Sequence, residues 1–198
     1  MGLIFKKERD NLIIGVWKTT ESLTQLTSLS KEISTTNLNS QKRKKEWLSI
    51  RLLLSELDPL SKIIYDRHKA PKTNNSKKIS ISHCDDLSCL ILSKKNTGID
   101  IQKVSRKAIK TINKFAEIKN FKNLTEEKAT LIWSAKECIY KWHRKGGINF
   151  KKDIIIEDFE ISQNGTIEAF FNSKIFVLNY LKIEDQFLVY ICKCDENI

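Results

Sequence analysis

The apolar positions of this chain fall into short β-rich blocks separated by stretches with a helical period. Leu12 to Trp17 (LIIGVW) predicts a first strand, and the polar Thr19 to Ser30 stretch a short helix. From Ser40 to Leu57, the residues Trp47, Ile50, Leu53, Leu54 and Leu57 recur every three or four positions. Asp58-Pro59 then stops the pattern, which predicts an amphipathic helix. Arg43, Trp47 and Arg51 are spaced i, i+4, i+8 and share one side of it, from which Arg51 could reach a cleft.

Tyr65 to Lys78 has no apolar period and predicts a cation-rich loop. Strands are expected at Lys78 to Ser82, Leu87 to Leu92 and Gly98 to Ile101, with Asp100 and Gln102 two apart and so on one face. Helices are expected over Ser105 to Ile118 and Thr125 to Arg144. In the second, Thr125 is a candidate cap, and Lys128 stands where a capping box prefers Glu or Gln. One stripe of that helix carries Trp133, Glu137, Tyr140, Lys141 and Arg144, another Leu131, Ala135 and Cys138, and Gly146-Gly147 is the expected end. The remainder reads as strands, at Ile154 to Ile156, Thr166 to Phe171 after an Asn164-Gly165 turn, Ile175 to Leu181 and Phe187 to Cys192.

The resulting fold class is α+β, with two similar lobes, residues 1–95 and 96–198, each an antiparallel sheet with a long helix. No residue-level repeat supports a duplication beyond this element order. The 198 residues are 40% hydrophobic, enough for a buried core. A net charge of +11 favours anionic partners without choosing among nucleic acid, nucleotide phosphates and an acidic protein. Five scattered cysteines lack disulfide-framework spacing, and the first residues hold too short an apolar run for a signal peptide or membrane span. A soluble cytoplasmic protein with no membrane partner is expected.

Two blocks carry chemistry, ISHCDDLSCLILSKKNTGIDIQ (Ile81 to Gln102) and WSAKECIYKW (Trp133 to Trp142). Asp100, Glu137 and Gln102 offer hard oxygen ligands suited to Mg2+, and Lys136, Lys141 and His83 suit the phosphate charge around such an ion. The plain alternative is that Glu137 and Lys141 form an i, i+4 surface pair of ~0.3–0.5 kcal/mol.

Three motifs in series resemble the 4'-phosphopantetheinyl transferase superfamily, in particular its surfactin-synthetase-activating type. Ser80-Ile-Ser-His83 is similar to that family's SxSH strand, Gly98-Ile-Asp-Ile-Gln102 to its G-(I/V)-D-(I/V)-E, and Trp133-Ser-Ala-Lys-Glu137 through Lys141 to its W-(S/T)-x-K-E-(A/S)-x-x-K. A basic R-x7-R helix, Arg43 and Arg51, precedes them. The resemblance covers Arg43 to Lys141.

It implies Mg2+-dependent transfer of the phosphopantetheine arm of coenzyme A to a serine of an acidic apo acyl or peptidyl carrier protein, by a monomeric pseudo-dimer with the ligands in a cleft between its lobes. Asp100, Gln102 and Glu137 would then hold the metal, and Lys136 and Lys141 the diphosphate. Glu137 would be the base, with Lys141 beside it. Ser82, His83, Arg43, Arg51 and Lys69 would contact coenzyme A.

Two positions depart from the family pattern. Gln102 replaces a glutamate, leaving two carboxylates, and Lys69-Ala70-Pro71 replaces G-K-P, so that Lys69 or Lys72 would take the lysine's role. Two alternatives follow, a coenzyme A-binding homologue with little activity and, with no motif of its own, a basic nucleic-acid-binding protein. Trp133 and Trp142 are expected to pack rather than stack on ligands, His68 and His143 to lie at the surface, and Cys192-Lys-Cys194 to be too isolated for zinc.

Overall fold

The computed structural model describes residues 2–9, 11–30, 38–68 and 70–195, the last four by backbone alone. The chain divides into two compact units, Met1–Asn96 and Thr97–Ile198. Both combine helices with antiparallel sheet, an α+β organisation.

The first unit starts with a hairpin, β1 (Gly2–Arg9) and β2 (Leu12–Lys18), followed by α1 (Leu23–Leu29) and α2 (Gln41–Leu57). A small hairpin, β3 (Ile63–Tyr65) and β4 (Pro71–Thr73), comes next, and then β5 (Lys78–Cys84) and β6 (Leu87–Ser93). The main sheet has the order β1-β2-β6-β5, antiparallel throughout. Ser40 caps α2, its hydroxyl accepting from the Arg43 N–H at 3.1 Å. The apolar side of α2 (Ile50, Leu53, Leu54, Leu57) packs on Trp17, Ile79, Leu90 and Leu92. Gly15 allows that approach, because a Cβ there would lie 2.7 Å from Leu53 Cδ1.

The second unit runs β7 (Ile99–Lys103), α3 (Arg106–Thr111), α4 (Glu126–His143), the single turn α5 (Phe150–Asp153), β8 (Ile155–Ile156), β9 (Asn164–Phe171), β10 (Lys174–Ile183) and β11 (Gln186–Asp195). Its sheet has the order β7-β11-β10-β9-β8, again antiparallel. Leu131, Ile132, Ala135, Cys138 and Ile139 of α4 are fully buried in one core with Ile167, Phe176, Leu178, Phe187 and Val189 of the sheet.

Thr125 caps α4, its hydroxyl accepting from the Lys128 N–H at 3.2 Å, with Glu126 and Glu127 in the first turn favouring the helix dipole. Lys128, the residue that departs from a capping box, is buried and serves the fold differently. Its ammonium donates to the Lys122 carbonyl at 2.7 Å and pairs with Asp158 at 2.6 Å.

Several elements differ from expectation. β1 escapes the apolar-pattern reading because it is a largely half-exposed edge strand rich in charge. The expected loop at Tyr65 to Lys78 contains β4, too short to show a period. The helix expected over Ser105 to Ile118 stops at Thr111, and 3-10 turns carry Ile112 and Phe115 into the core. Asn164-Gly165 begins β9 rather than turning. The tight turn is Asn172-Ser173, with φ of 50° and 57° as a two-residue hairpin requires. α4 ends at Arg144, itself left-handed at φ 66°, before the glycines.

Candidate active site

The centre of the second unit's chemistry lies where β7 meets α4. Gly98, just before β7, permits the contact, since a Cβ there would fall 2.0 Å from the Cys138 carbonyl oxygen of α4. Two residues on, Asp100 is 1% exposed. Its Oδ2 accepts from the Ser134 hydroxyl at 2.9 Å, and its Oδ1 pairs with Lys141 Nζ at 2.7 Å. The same ammonium donates to the Ile99 carbonyl at 3.0 Å. Ser134, Glu137 and Lys141 lie at i, i+3 and i+7 of α4, so one stripe of the helix faces the Asp100 carboxylate. Lys141 reaches across to Asp100 over 41 residues of sequence, which is a different arrangement from a solvated i, i+4 pair with Glu137.

Glu137 is half-buried. Burial first, and then the Asp100 charge, raise its carboxyl pKa above the ordinary 4.5, against the lowering effect of Lys141. Gln102 is half-buried on the face of β7 that carries Asp100. Among the described residues, no group of three or more His, Cys, Asp or Glu side chains could hold a metal ion. The donors expected at this centre are therefore two carboxylates and an amide. Their chemistry fits a hard divalent cation, because such an ion takes one or two carboxylates and would offset the Asp100 charge that adds to the effect of burial on Glu137.

Lys136, expected at a diphosphate, is turned the other way. It is 1% exposed, and its ammonium donates to the Ile154 carbonyl and, at 2.7 Å, to the Phe150 carbonyl. Burial lowers its pKa from 10.5 to about 8. Lys136 thus ties α5 and the residue after it to α4, separate from the Asp100, Glu137 and Lys141 cluster. Trp133 packs between Phe115 and Phe150, with ring centroids at 5.1 and 5.4 Å, and Trp142 packs edge-on to Phe176 at 4.8 Å. Both tryptophans pack as expected. His68 is exposed, while His143 is half-buried, edge-on to Phe171 at 5.1 Å. Cys192 and Cys194 lie outside the described side chains.

Residues 96–192 match the family model of the 4'-phosphopantetheinyl transferase superfamily. No curated protein matches the chain. The matched stretch contains Asp100, Gln102, Ser134, Glu137 and Lys141, and it supports a phosphopantetheinyl transferase-type function. Among the described residues no helix is long and apolar enough to cross a membrane.

The remaining residues that the superfamily resemblance singles out lie before the match. Arg43, Arg51 and His83 line one groove of the first unit, about 590 Å3 in volume, with Lys42, Glu46, Trp47 and Tyr65. His83 Nε2 lies 3.5 Å from Glu46 Oε2. Ser82 alternates to the opposite face of β5, 6% exposed, and is separated from the groove. Lys69 lies outside the described residues, and Lys72 pairs loosely with Asp66 at 3.9 Å. Three contributors had no role assigned from the sequence, namely Ser134, Glu46 and Trp47. Ser134 has a sequence signal, its place on the Glu137 and Lys141 stripe. Trp47 has one too, its shared side of α2 with Arg51, whereas the His83 partner of Glu46 emerges only from the fold.

Proposed function

We propose that this protein transfers the 4'-phosphopantetheine arm of coenzyme A to a serine hydroxyl of an acidic apo acyl or peptidyl carrier protein, in the manner of the surfactin-synthetase-activating type. The observation that carries this reading is the buried Asp100 carboxylate beside Glu137 and Lys141, within the stretch that matches the superfamily.

Asp100 and Glu137, with the Gln102 amide, are the residues that would hold Mg2+. When bound, the ion would supply positive charge to the diphosphate and to the developing negative charge of the transition state. Lys141, held by Asp100 and the Ile99 carbonyl, would present its ammonium to diphosphate oxygens. Glu137, whose carboxyl pKa is raised by burial and then by the Asp100 charge, would accept the proton of the attacking serine hydroxyl. The new bond joins the serine oxygen to the phosphorus carrying the pantetheine arm. The bond that breaks releases adenosine 3',5'-bisphosphate, and the serine proton goes to Glu137. Arg43, Arg51 and His83 are the proposed contacts for the 3'-phosphate of coenzyme A. The net charge of +11 favours approach of an acidic carrier.

The test combines the protein with coenzyme A, Mg2+ and apo carrier proteins of its host, with mass spectrometry of the carriers. The expected result is a phosphopantetheine adduct that disappears in Asp100→Ala and Glu137→Ala variants of unchanged melting temperature. Coenzyme A binding without an adduct on any carrier would overturn transfer in favour of a coenzyme A-binding homologue, the reading that the Gln102 amide favours. If Gln102 contacts the metal, Gln102→Glu lowers the Mg2+ concentration for half-maximal rate by about tenfold, ~1.4 kcal/mol. An unchanged Mg2+ dependence removes Gln102 from the metal.

A further inference from the structure

The groove of the first unit has a feature that the resemblance does not contain. The Arg51 guanidinium lies 3.2 Å above the Trp47 ring centroid and donates from Nη1 to the Trp47 carbonyl at 3.1 Å. Tyr65, on β3, lines the same groove within electrostatic reach of that guanidinium. Arg51 is therefore held by a ring and a carbonyl, with a phenol nearby. Arg43, eight residues earlier on α2, is exposed.

The groove's lining contains three permanent cations, Lys42, Arg43 and Arg51, and one carboxylate, Glu46. Glu46 is engaged on both sides, by His83 at 3.5 Å and Lys42 at 3.9 Å. The volume, about 590 Å3, suits a small organic anion. A long side chain normally loses rotamer freedom when it binds an anion, and a guanidinium already fixed on a ring has lost it beforehand.

We propose that Trp47 is a positioning residue. It presets the Arg51 guanidinium for a terminal phosphomonoester, so that selectivity for a nucleotide carrying a second phosphate depends on a ring acting through Arg51. This rests on the reading that the groove takes the adenosine 3',5'-bisphosphate end of coenzyme A. Tyr65 is the second group near the same guanidinium.

The test measures by calorimetry the ratio of affinities for adenosine 3',5'-bisphosphate and adenosine 5'-phosphate, on the full chain without Mg2+. The wild type binds the bisphosphate more tightly. Arg51→Ala lowers the ratio by about tenfold or more, the scale of one charge-assisted hydrogen bond. Trp47→Leu lowers the ratio in the same direction, Trp47→Phe largely keeps it, and Trp47→Leu combined with Arg51→Ala loses no more than Arg51→Ala alone. Tyr65→Phe, which removes one oxygen only, gives a smaller loss and covers the case in which Trp47→Leu fails to fold.

Equal weakening of both nucleotides in Trp47→Leu, with the ratio unchanged, would overturn the proposal. So would additive losses in the double variant, or a wild type that does not distinguish the two nucleotides. The two readings fail separately. An adduct on a carrier with a ratio insensitive to Trp47 leaves the transferase and removes the positioning role. A sensitive ratio without an adduct does the reverse.

Discussion

The groove on α2 and the carboxylate centre on α4 use one construction and end with opposite electrostatics. In each unit a long helix lies on an antiparallel sheet over a glycine, Gly15 under α2 and Gly98 beside α4. At α4 the charges are sunk. Asp100 is 1% exposed and spends its oxygens on Ser134 and Lys141, so its geometry is fixed by the core. At α2 the charges stand at an open surface, where Arg51 is held over Trp47 while Arg43, Lys42 and His83 are exposed. A buried centre suits bond making, which rewards preorganised charge, whereas an open cationic groove suits capture of a charged ligand.

Kinetics would break this contrast most directly. Asp100→Asn should lower kcat by about 10³, the scale of losing one preorganised electrostatic contact at a reaction centre. His83→Ala should instead raise the KM for coenzyme A by about tenfold with kcat nearly kept. Equal effects on kcat from both would end the division of labour.

The two glycines should separate next. Gly98→Ala drives a Cβ into the Cys138 backbone carbonyl, which α4 cannot move, and should cost about 3 kcal/mol or more. Gly15→Ala meets only the flexible ends of Leu53 and Leu57 and should cost about 1–2 kcal/mol. Urea denaturation midpoints of the two variants check the order.

Glu137 sharpens the comparison in the absence of metal. Its pKa is raised in the folded chain, so its ionised form opposes folding, and stability falls as pH rises from the unfolded value near 4.5 through the raised one. Glu137→Gln should therefore raise the melting temperature of the metal-free protein at pH 7 and flatten that acid-side dependence, while removing the gain in melting temperature on adding Mg2+.

Lys136 gives the opposite slope. Its folded pKa of about 8 lies below the ordinary 10.5. Below 8 both folded and unfolded chains carry the charge, and the folded one bears the burial cost. Between 8 and 10.5 the folded chain loses the proton first, so stability rises with pH. Denaturation from pH 7.5 to 10 should show this rise in the wild type and not in Lys136→Met.

Much of this was legible in the order of residues. Apolar period marks α2 and α4, and Thr125 was a candidate cap for α4, whereas the Ser40 cap of α2 appears in the structure. The short strands β3 and β4 were not legible, because three residues carry no period. The candidate chemistry divides in the same way. Asp100, Glu137 and Lys141 stand out as residue types and do converge, whereas the spacing that paired Glu137 with Lys141 on the helix surface gave no sign of the Asp100 partner.

Ser82 and His83 were expected together at coenzyme A, but the period of two along β5 puts them on opposite faces, and Ile79 packing beneath α2 shows that the His83 face meets that helix. Local order thus determined the two long helices, most of the longer strands and the supply of hard oxygens and cations. Tertiary structure alone decided that Lys136 turns to the Phe150 and Ile154 carbonyls while Lys141 turns to Asp100. The reason is that a lysine side chain has enough rotamers to serve either purpose, and its choice is made by partners many residues away that only the folded core brings within hydrogen-bond distance.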